Sequence, residues 1–173
     1  MKPPEIVAAG ELVLKRWELR WADEAAAAVR ESLPELQPFL PWARDDYDVG
    51  TAREFVERSD DGWADGTEFN YAIFDAAGEL VGSIGLMTRM GPGVLEIGYW
   101  LRTSRTGQGY MTAAVEAITR VAFELPGIDR AAIRHDVRNA RSAAVAERAG
   151  FVEVQRRDQE GGGTEAVRIR LRA

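Results

Sequence analysis

Arg105-Thr106-Gly107-Gln108-Gly109-Tyr110-Met111-Thr112 stands between a strand-like stretch ending at Leu101 and an amphipathic stretch that opens at Met111. Two glycines placed where a strand gives way to a helix let backbone N–H groups converge on one point at the positive end of the helix dipole. That arrangement suits an anion such as a phosphate or pyrophosphate. A dinucleotide fingerprint is one reading, because Asp129 follows Gly107-x-Gly109 by roughly the 20 residues that separate such a loop from its ribose-binding acid. It fails at the third glycine, where Thr112 stands, and residues Arg102 to Thr106 intervene between strand and loop. A plain strand-to-helix turn is the reading without chemistry.

Other chemistries are excluded by what the chain lacks. It has 0 cysteines and 1 histidine, so a thiol nucleophile, a Cys-ligated metal and a multi-histidine zinc site are ruled out, and no metal is expected. A Ser-His-Asp hydrolase would have to use His135, and no G-x-S-x-G occurs, since Ser83 sits in Val-Gly-Ser-Ile-Gly. Neither Lys2 nor Lys15 follows a glycine-rich loop, so a P-loop is absent. His135 alternates with Ile133 and Val137 and reads as an interior histidine rather than a base.

The elements that must position the loop follow from periodicity and punctuation. Leu12–Leu14 suggest a short strand, and Asp23–Arg30 a helix, with Pro34, Pro38 and Pro41 as breakers. Thr51-Ala52-Arg53-Glu54 has the pattern of a capping box opening a helix that Gly62 and Gly66 stop. Phe69–Asp75, Leu80–Thr88 and Val94–Leu101 read as three strands with short links, which implies an antiparallel meander. Met111, Ala114, Val115, Ile118, Ala122 and Leu125 form one helical stripe ending at Pro126-Gly127. A strand at Ala131–Val137, a helix at Ala140–Ala149 closed by Gly150, and strands near Phe151–Gln155 and Val167–Leu171 complete the order. The expected fold is mixed α/β (α+β), with about seven strands and about four helices around one sheet whose first half is antiparallel.

With 173 residues and 46% apolar composition, the chain is expected to form a single domain over residues 1–173. The net charge of −6 argues against nucleic acid as a partner, because binding to a phosphate backbone draws on clustered positive charge. A run of only four apolar residues, Ile6–Ala9, precedes Gly10, and no run approaches the ~18 that a membrane span requires. A soluble, cytoplasmic protein without a membrane partner is the expectation.

Glu96-Ile97-Gly98-Tyr99-Trp100-Leu101, the loop Gly107 to Thr112, Asn139-Ala140-Arg141-Ser142 and Gly150-Phe151 occur in that order. At these spacings the chain resembles the GNAT superfamily of N-acetyltransferases. Leu36-Gln37-Pro38-Phe39-Leu40-Pro41-Trp42 narrows the likeness to the RimJ/RimL type, which acetylates N-termini of ribosomal proteins. The resemblance runs from about Leu12 to Phe151. It implies the GNAT fold, with acetyl-CoA held where the fourth and fifth strands splay apart and its pyrophosphate on the loop opening the long helix. Thr106 and Met111 depart from the usual loop, which has Gln/Arg and Gly/Ala there. Because that loop holds phosphate mainly through backbone N–H groups, neither change removes the expectation.

Acyl transfer from a thioester to an amine needs a free amine, donors for the developing oxyanion and a proton for the leaving thiolate. The resemblance implies Glu96 as the group that removes the amine proton, directly or through water, and Ser142 as a proton donor near the sulfur. It implies contacts to the cofactor from Tyr99, Trp100 and Leu101, from Arg105, Thr106, Gly107, Gln108, Gly109, Tyr110, Met111 and Thr112, and from Asn139 and Ser142. Phe39, Leu40 and Trp42, with Glu96, would line the acceptor groove. The residues alone also allow blander roles: Asn139 as a helix N-cap, Ser142 as a first-turn residue, and Arg102 and Arg105 as solvated surface arginines instead of phosphate ligands. Tyr99 and Tyr110 are competing acids.

The first functional expectation is an acetyl-CoA-dependent N-acetyltransferase acting on a primary amine, the α-amine of a protein or peptide N-terminus, by direct attack in a ternary complex. The alternatives are acetylation or succinylation of a small amine such as a polyamine or aminoglycoside, and a CoA-binding module without turnover. The expected assembly is a monomer or homodimer.

Overall fold

The computed structural model describes residues 1–173. Eight strands form one sheet in the order β1-β2-β3-β4-β5-β6-β8-β7. Its members are β1 (Ile6–Ala9), β2 (Leu12–Arg16), β3 (Glu68–Phe74), β4 (Leu80–Met87), β5 (Val94–Leu101), β6 (Arg130–Asp136), β7 (Val152–Asp158) and β8 (Thr164–Leu171). Every neighbouring pair is antiparallel except β5 and β6, which are parallel. β1 was not anticipated. It is a four-residue edge strand with its burial alternating, too short for periodicity to reveal, and it shifts the expected fourth and fifth strands to β5 and β6.

Helices α1 (Ala22–Leu36) and α2 (Val49–Asp65) cover one face of the sheet, and α3 (Tyr110–Glu124) and α4 (Ala140–Arg148) the other. Two buried clusters result. The larger sets Met111, Ala114, Val115, Ile118, Val121 and Ala122 of α3 against Leu14, Tyr71, Ile84, Leu95 and Ile97 of the sheet. The smaller sets Ala25, Val29, Ala52 and Val56 against Trp17, Ala72, Phe74 and Leu80. Ile118, wholly buried, contributes roughly 1.5–3 kcal/mol by leaving water.

Two helix boundaries correct the expectation. Pro34 lies inside α1, which runs on to Leu36 with the Gln37 N–H bonded to the Leu33 carbonyl. In α2 the cap is Asp48, not Thr51. The Asp48 carboxylate accepts from the Thr51 N–H at 2.9 Å, and the Thr51 hydroxyl faces back to the Asp48 N–H at 3.4 Å. The box thus starts three residues earlier, because Asp is as good a cap as Ser or Thr and Val49 and Gly50 tolerate the first turn.

The feature that makes room for a site is the junction of β5 and β6. They pair only through Val94, Leu95 and Glu96 with Arg130, Ala131 and Ala132. Beyond that point β5 follows β4 to Leu101, while β6 follows β8 to Asp136, so the strands part. No helix is long and apolar enough to cross a membrane.

Candidate active site

The parting of β5 from β6 leaves main-chain groups without a partner strand. Arg102 N–H donates to the Val81 carbonyl at 2.7 Å, which sets the phase of the β4–β5 ladder. By the alternation of an antiparallel ladder, the odd residues of β5 turn away from β4; the Ile97 N–H closes the last bridge to β6 at Glu96–Ala132, and the N–H and C=O groups of Tyr99 and Leu101, beyond it, face the opening. Unpaired groups on an extended strand suit an elongated ligand carrying amides. The opening leads into a cleft of about 1620 Å³, lined by β5, by Gly107, Gly109 and the first turn of α3, by Asn139 and α4, and by Phe39 to Trp42. Pockets for one small ligand run to ~1,000 Å³, so this cleft has room for two molecules.

At one end lies the glycine loop. Gly107 (φ 77°) and Gly109 (φ 76°) both occupy the left-handed region, which bars most side chains, and a Cβ on either would meet open space. Gly109 is the N-cap of α3 and offers no side-chain cap. The N–H groups that open the helix therefore face the cleft without intrahelical partners, and a phosphate fits them. The Thr106 hydroxyl is used within the loop, donating to the Thr103 carbonyl at 2.9 Å.

Arg105 and Gln108, expected at the cofactor, do not line the cleft, and neither does Arg102. Arg105 pairs with Glu79 and, at 3.4 Å, with Asp75; Arg102 pairs with Glu31 at 3.0 Å and Glu79 at 3.1 Å. These carboxylates come from α1 and the β3–β4 turn, so both guanidiniums tie the loop to the body of the fold instead of facing a ligand. Arg141 and Arg148 line the cleft, are exposed and have no ion-pair partner. Sequence reasoning missed them, although their spacing of two helical turns puts them on one stripe of α4.

In the middle, Tyr99 and Ser142 meet. Their hydroxyl oxygens are 2.8 Å apart, and either can donate. Asn139 caps α4 by accepting from the Ser142 N–H at 3.1 Å, which holds the serine in the first turn. Burial pushes the Tyr99 phenol up to about 12, although the Ser142 hydrogen bond and the field of Arg168 act the other way. Tyr99 is therefore a protonated donor at neutral pH. Tyr110 lines the cleft nearer the loop, with Met111 and Thr112.

His135 is buried, with Nδ1 2.8 Å from the Asp136 carbonyl and Nε2 accepting from Arg168 at 3.0 Å. Both ring nitrogens are thus occupied, Nε2 by the Arg168 guanidinium and Nδ1 by the Asp136 main chain. The imidazole has no free position for a base.

At the far end, Glu96 is 3% exposed and lies among arginines. Arg89 Nε reaches its Oε1 at 2.9 Å and Arg89 Nη2 its Oε2 at 2.6 Å, a bidentate pair. Arg134 Nε stands 3.2 Å from Glu96 Oε1 and 3.3 Å from Glu165 Oε1, yet aligned for a hydrogen bond to neither. Glu96, which the resemblance implies as the group that takes the amine proton, is therefore buried with both of its oxygens paired to an arginine. Four residues along β5 from Glu96, the Trp100 ring is 6.2 Å from Trp42, which is 5.9 Å from Tyr47, and the Arg138 guanidinium lies 6.0 Å over Phe39. With Leu40 these rings form an aromatic wall of the cleft. No group of three or more His, Asp or Glu side chains is placed to hold a metal ion.

Comparison with known proteins bears on this geometry. Residues 11–152 match the family described as the acetyltransferase (GNAT) domain. A 58-residue stretch is 45% identical to YdaF of Bacillus subtilis (strain 168), named as a candidate ribosomal N-acetyltransferase, and covers 34% of this chain and 32% of that protein. The match thus spans about a third of that relative's length. Among solved structures, the microcin C7 self-immunity acetyltransferase MccE, in complex with acetyl-CoA and AMP, superposes with a TM-score of 0.87 at 18% identity, covering 94% of this chain and 93% of that one. RimL, a ribosomal L7/L12 α-N-protein acetyltransferase in complex with coenzyme A, superposes with a TM-score of 0.87 at 24% identity, covering 96% and 98%. An acetyltransferase from Salmonella typhimurium that modifies the N-terminal serine of L7/L12 gives 0.85 at 23%, covering 98% and 100%. At these identities the structures speak for the fold.

Proposed function

The chain belongs to the acetyltransferase (GNAT) family, and we propose that it is an acetyl-CoA-dependent N-acetyltransferase whose acceptor is the α-amine of a protein or peptide N-terminus. The observation that carries this reading is one cleft through the parted β5 and β6 that is lined by an anion cradle at Gly107–Gly109, by the aromatic wall of Phe39, Trp42 and Trp100, and by Glu96. The relatives whose names specify ribosomal-protein acetylation add weight to the choice of acceptor.

The residues present fit acetyl-CoA as the acyl donor. The open glycine loop and the first turn of α3 would take the pyrophosphate, Arg141 and Arg148 offer charge to further phosphate, and the free main-chain groups of β5 suit the pantetheine amides. The thioester supplies an activated acetyl group. In the transfer, the amine nitrogen bonds to the carbonyl carbon and the C–S bond breaks. The Tyr99–Ser142 hydroxyl pair would give a proton to the departing thiolate, and Glu96 or water would take one from the amine. Asn139 holds Ser142 in place.

An α-amine is favoured by the cost of deprotonation. With a pKa of about 7.8 it is ~15% free base at pH 7, against an expense of roughly 4.6 kcal/mol to free a lysine of pKa about 10.4 and ~1.1 for the α-amine. His135, with both nitrogens bonded, adds no base.

A second reading, a small amine carrying a flat ring, draws on the aromatic wall and on the AMP named in the MccE complex. One experiment separates the two. The purified protein is given acetyl-CoA and succinyl-CoA with a peptide bearing a free N-terminus, the same peptide N-acetylated but carrying lysine, a small amine carrying an aromatic ring, a polyamine and an aminoglycoside; free thiol and product mass are measured. Acetyl on the free N-terminus supports the proposal. Product on lysine or only on small amines overturns the acceptor assignment, and CoA binding without thiol release from any amine overturns the enzyme.

A further inference from the structure

Glu96 is deeply buried, yet its two oxygens are clamped by a residue that is not. Arg89 sits in the link between β4 and β5, and its side chain is 58% exposed against 4% for Glu96. Both line the same cleft. Its guanidinium takes Oε1 at 2.9 Å and Oε2 at 2.6 Å, so an incoming amine finds each oxygen already paired with a cation. Arg134 differs: it projects from β6, is 22% exposed and stands between Glu96 and Glu165.

We propose that Arg89 is an internal stand-in for the acceptor, occupying the ammonium position on Glu96 until a cationic amine exchanges with it. The inference rests on the acetyltransferase reading above and deepens it by assigning how the acceptor is recognised. The physical reason is conservation of charge at a buried carboxylate. Removing Arg89 without a replacement would leave Glu96 short of a counter-charge in a poorly solvated place, which is costly. An ammonium that takes the position restores the pair, while the released guanidinium, already largely exposed, returns to water. The exchange is one cation for another. An alcohol or an acylated amine carries no charge to offer and leaves Arg89 in place, so the site selects protonated amines before any proton moves. Arg89 is then a positioning residue, and its occupancy lowers the apparent affinity for the acceptor by the fraction of time it holds Glu96.

The test is calorimetric titration of CoA-saturated full-length protein with a short peptide bearing a free N-terminus and with its N-acetylated form, for wild type, Arg89→Ala, Arg89→Lys, Glu96→Gln and the Arg89→Ala/Glu96→Gln pair. Arg89→Ala should bind the free peptide about tenfold more tightly, as removal of a competing state does, with the acetylated peptide unaffected. Arg89→Lys, which keeps a cation within reach, should restore most of the wild-type affinity. In steady state the KM for the amine should fall in Arg89→Ala while the KM for acetyl-CoA stays the same. With Glu96→Gln already present, adding Arg89→Ala should change nothing. Weaker or unchanged binding in Arg89→Ala, an equal gain for the acetylated peptide, or a gain that survives Glu96→Gln overturns the proposal. A gain seen with a lysine or polyamine amine instead of the α-amine supports the exchange and refutes the acceptor assignment, so the two can fail separately. The CoA-induced rise in melting temperature verifies that each variant is folded.

Discussion

The Tyr99 hydroxyl lies 2.8 Å from Ser142 Oγ, joining β5 to the first turn of α4 across the gap where β5 and β6 part. The contact bridges two elements that share no ladder there. It also places a phenol held in its protonated form beside a serine whose backbone is fixed by Asn139. Two hydroxyls in contact can pass a proton along: one gives a proton outward, and the other replaces it.

If the pair acts as a unit, its members are not additive. We expect Ser142→Ala and Tyr99→Phe each to lower kcat by ~10- to 1000-fold, the range for loss of one acid or oxyanion donor, with CoA affinity little changed. The double variant should be no slower than the slower single variant. Wild-type turnover in both single variants would reduce the contact to a structural hydrogen bond worth about 1 kcal/mol.

The cradle is tested by Gly109→Val. Acetyl-CoA or CoA at ~100 times its dissociation constant should stabilise the wild type by roughly 2.7 kcal/mol, several degrees in Tm. Gly109→Val should lose that shift. The variant itself should melt earlier, by the equivalent of about 1–3 kcal/mol, because the φ of 76° is costly for a β-branched residue. A melting curve unmoved by CoA in the wild type but moved by NAD would sink the cofactor assignment.

Trp42 provides a test of the acceptor end. It is 39% exposed and packs on Trp100 and Tyr47. Trp42→Ala should raise the KM for the acceptor about 2- to 10-fold, the worth of an aromatic contact of ~0.5–1.5 kcal/mol, while the KM for acetyl-CoA stays put. An effect confined to acetyl-CoA would move Trp42 out of the acceptor groove.

Alkaline pH should unfold the protein in a defined window. Burial pushes Tyr47 and Tyr99 up to about 12 and raises Tyr71 as well. In the unfolded chain a phenol releases its proton near pH 10. Between about pH 10 and 12 the folded state thus holds protons that the unfolded state has lost, and stability falls as pH rises; below about 10 these groups make no contribution to the slope. Absorbance at 295 nm, followed together with circular dichroism, should show their ionisation coinciding with unfolding. Smooth ionisation of every tyrosine near pH 10 with structure retained would contradict this.

What could be read from the chain alone was local. The stripe from Met111 to Ala122, the strands of the meander and the glycines of the loop are visible because side-chain period and backbone freedom are properties of neighbouring residues. Asn139 as a cap belongs to the same class, since its partner is three residues away. The edge strand β1 and the start of α2 at Asp48 escaped, the first for being four residues long and the second because two capping patterns overlap.

Tertiary structure alone decided where charged and hydroxyl groups point. Arg102 and Arg105 carry the same charge whether they face a phosphate or Glu31, Asp75 and Glu79, and only the docking of α1 and the β3–β4 turn beside the loop settles the choice. The clamp of Arg89 on Glu96 needs the β4–β5 link to fold back over β5, and Arg134 enters it from a strand 38 positions further along. Tyr99 and Ser142 are 43 residues apart, and no periodicity connects them. Electrostatic and hydrogen-bond partners are selected by distance in space, whereas sequence patterns report which face is buried and say nothing about which neighbour waits there.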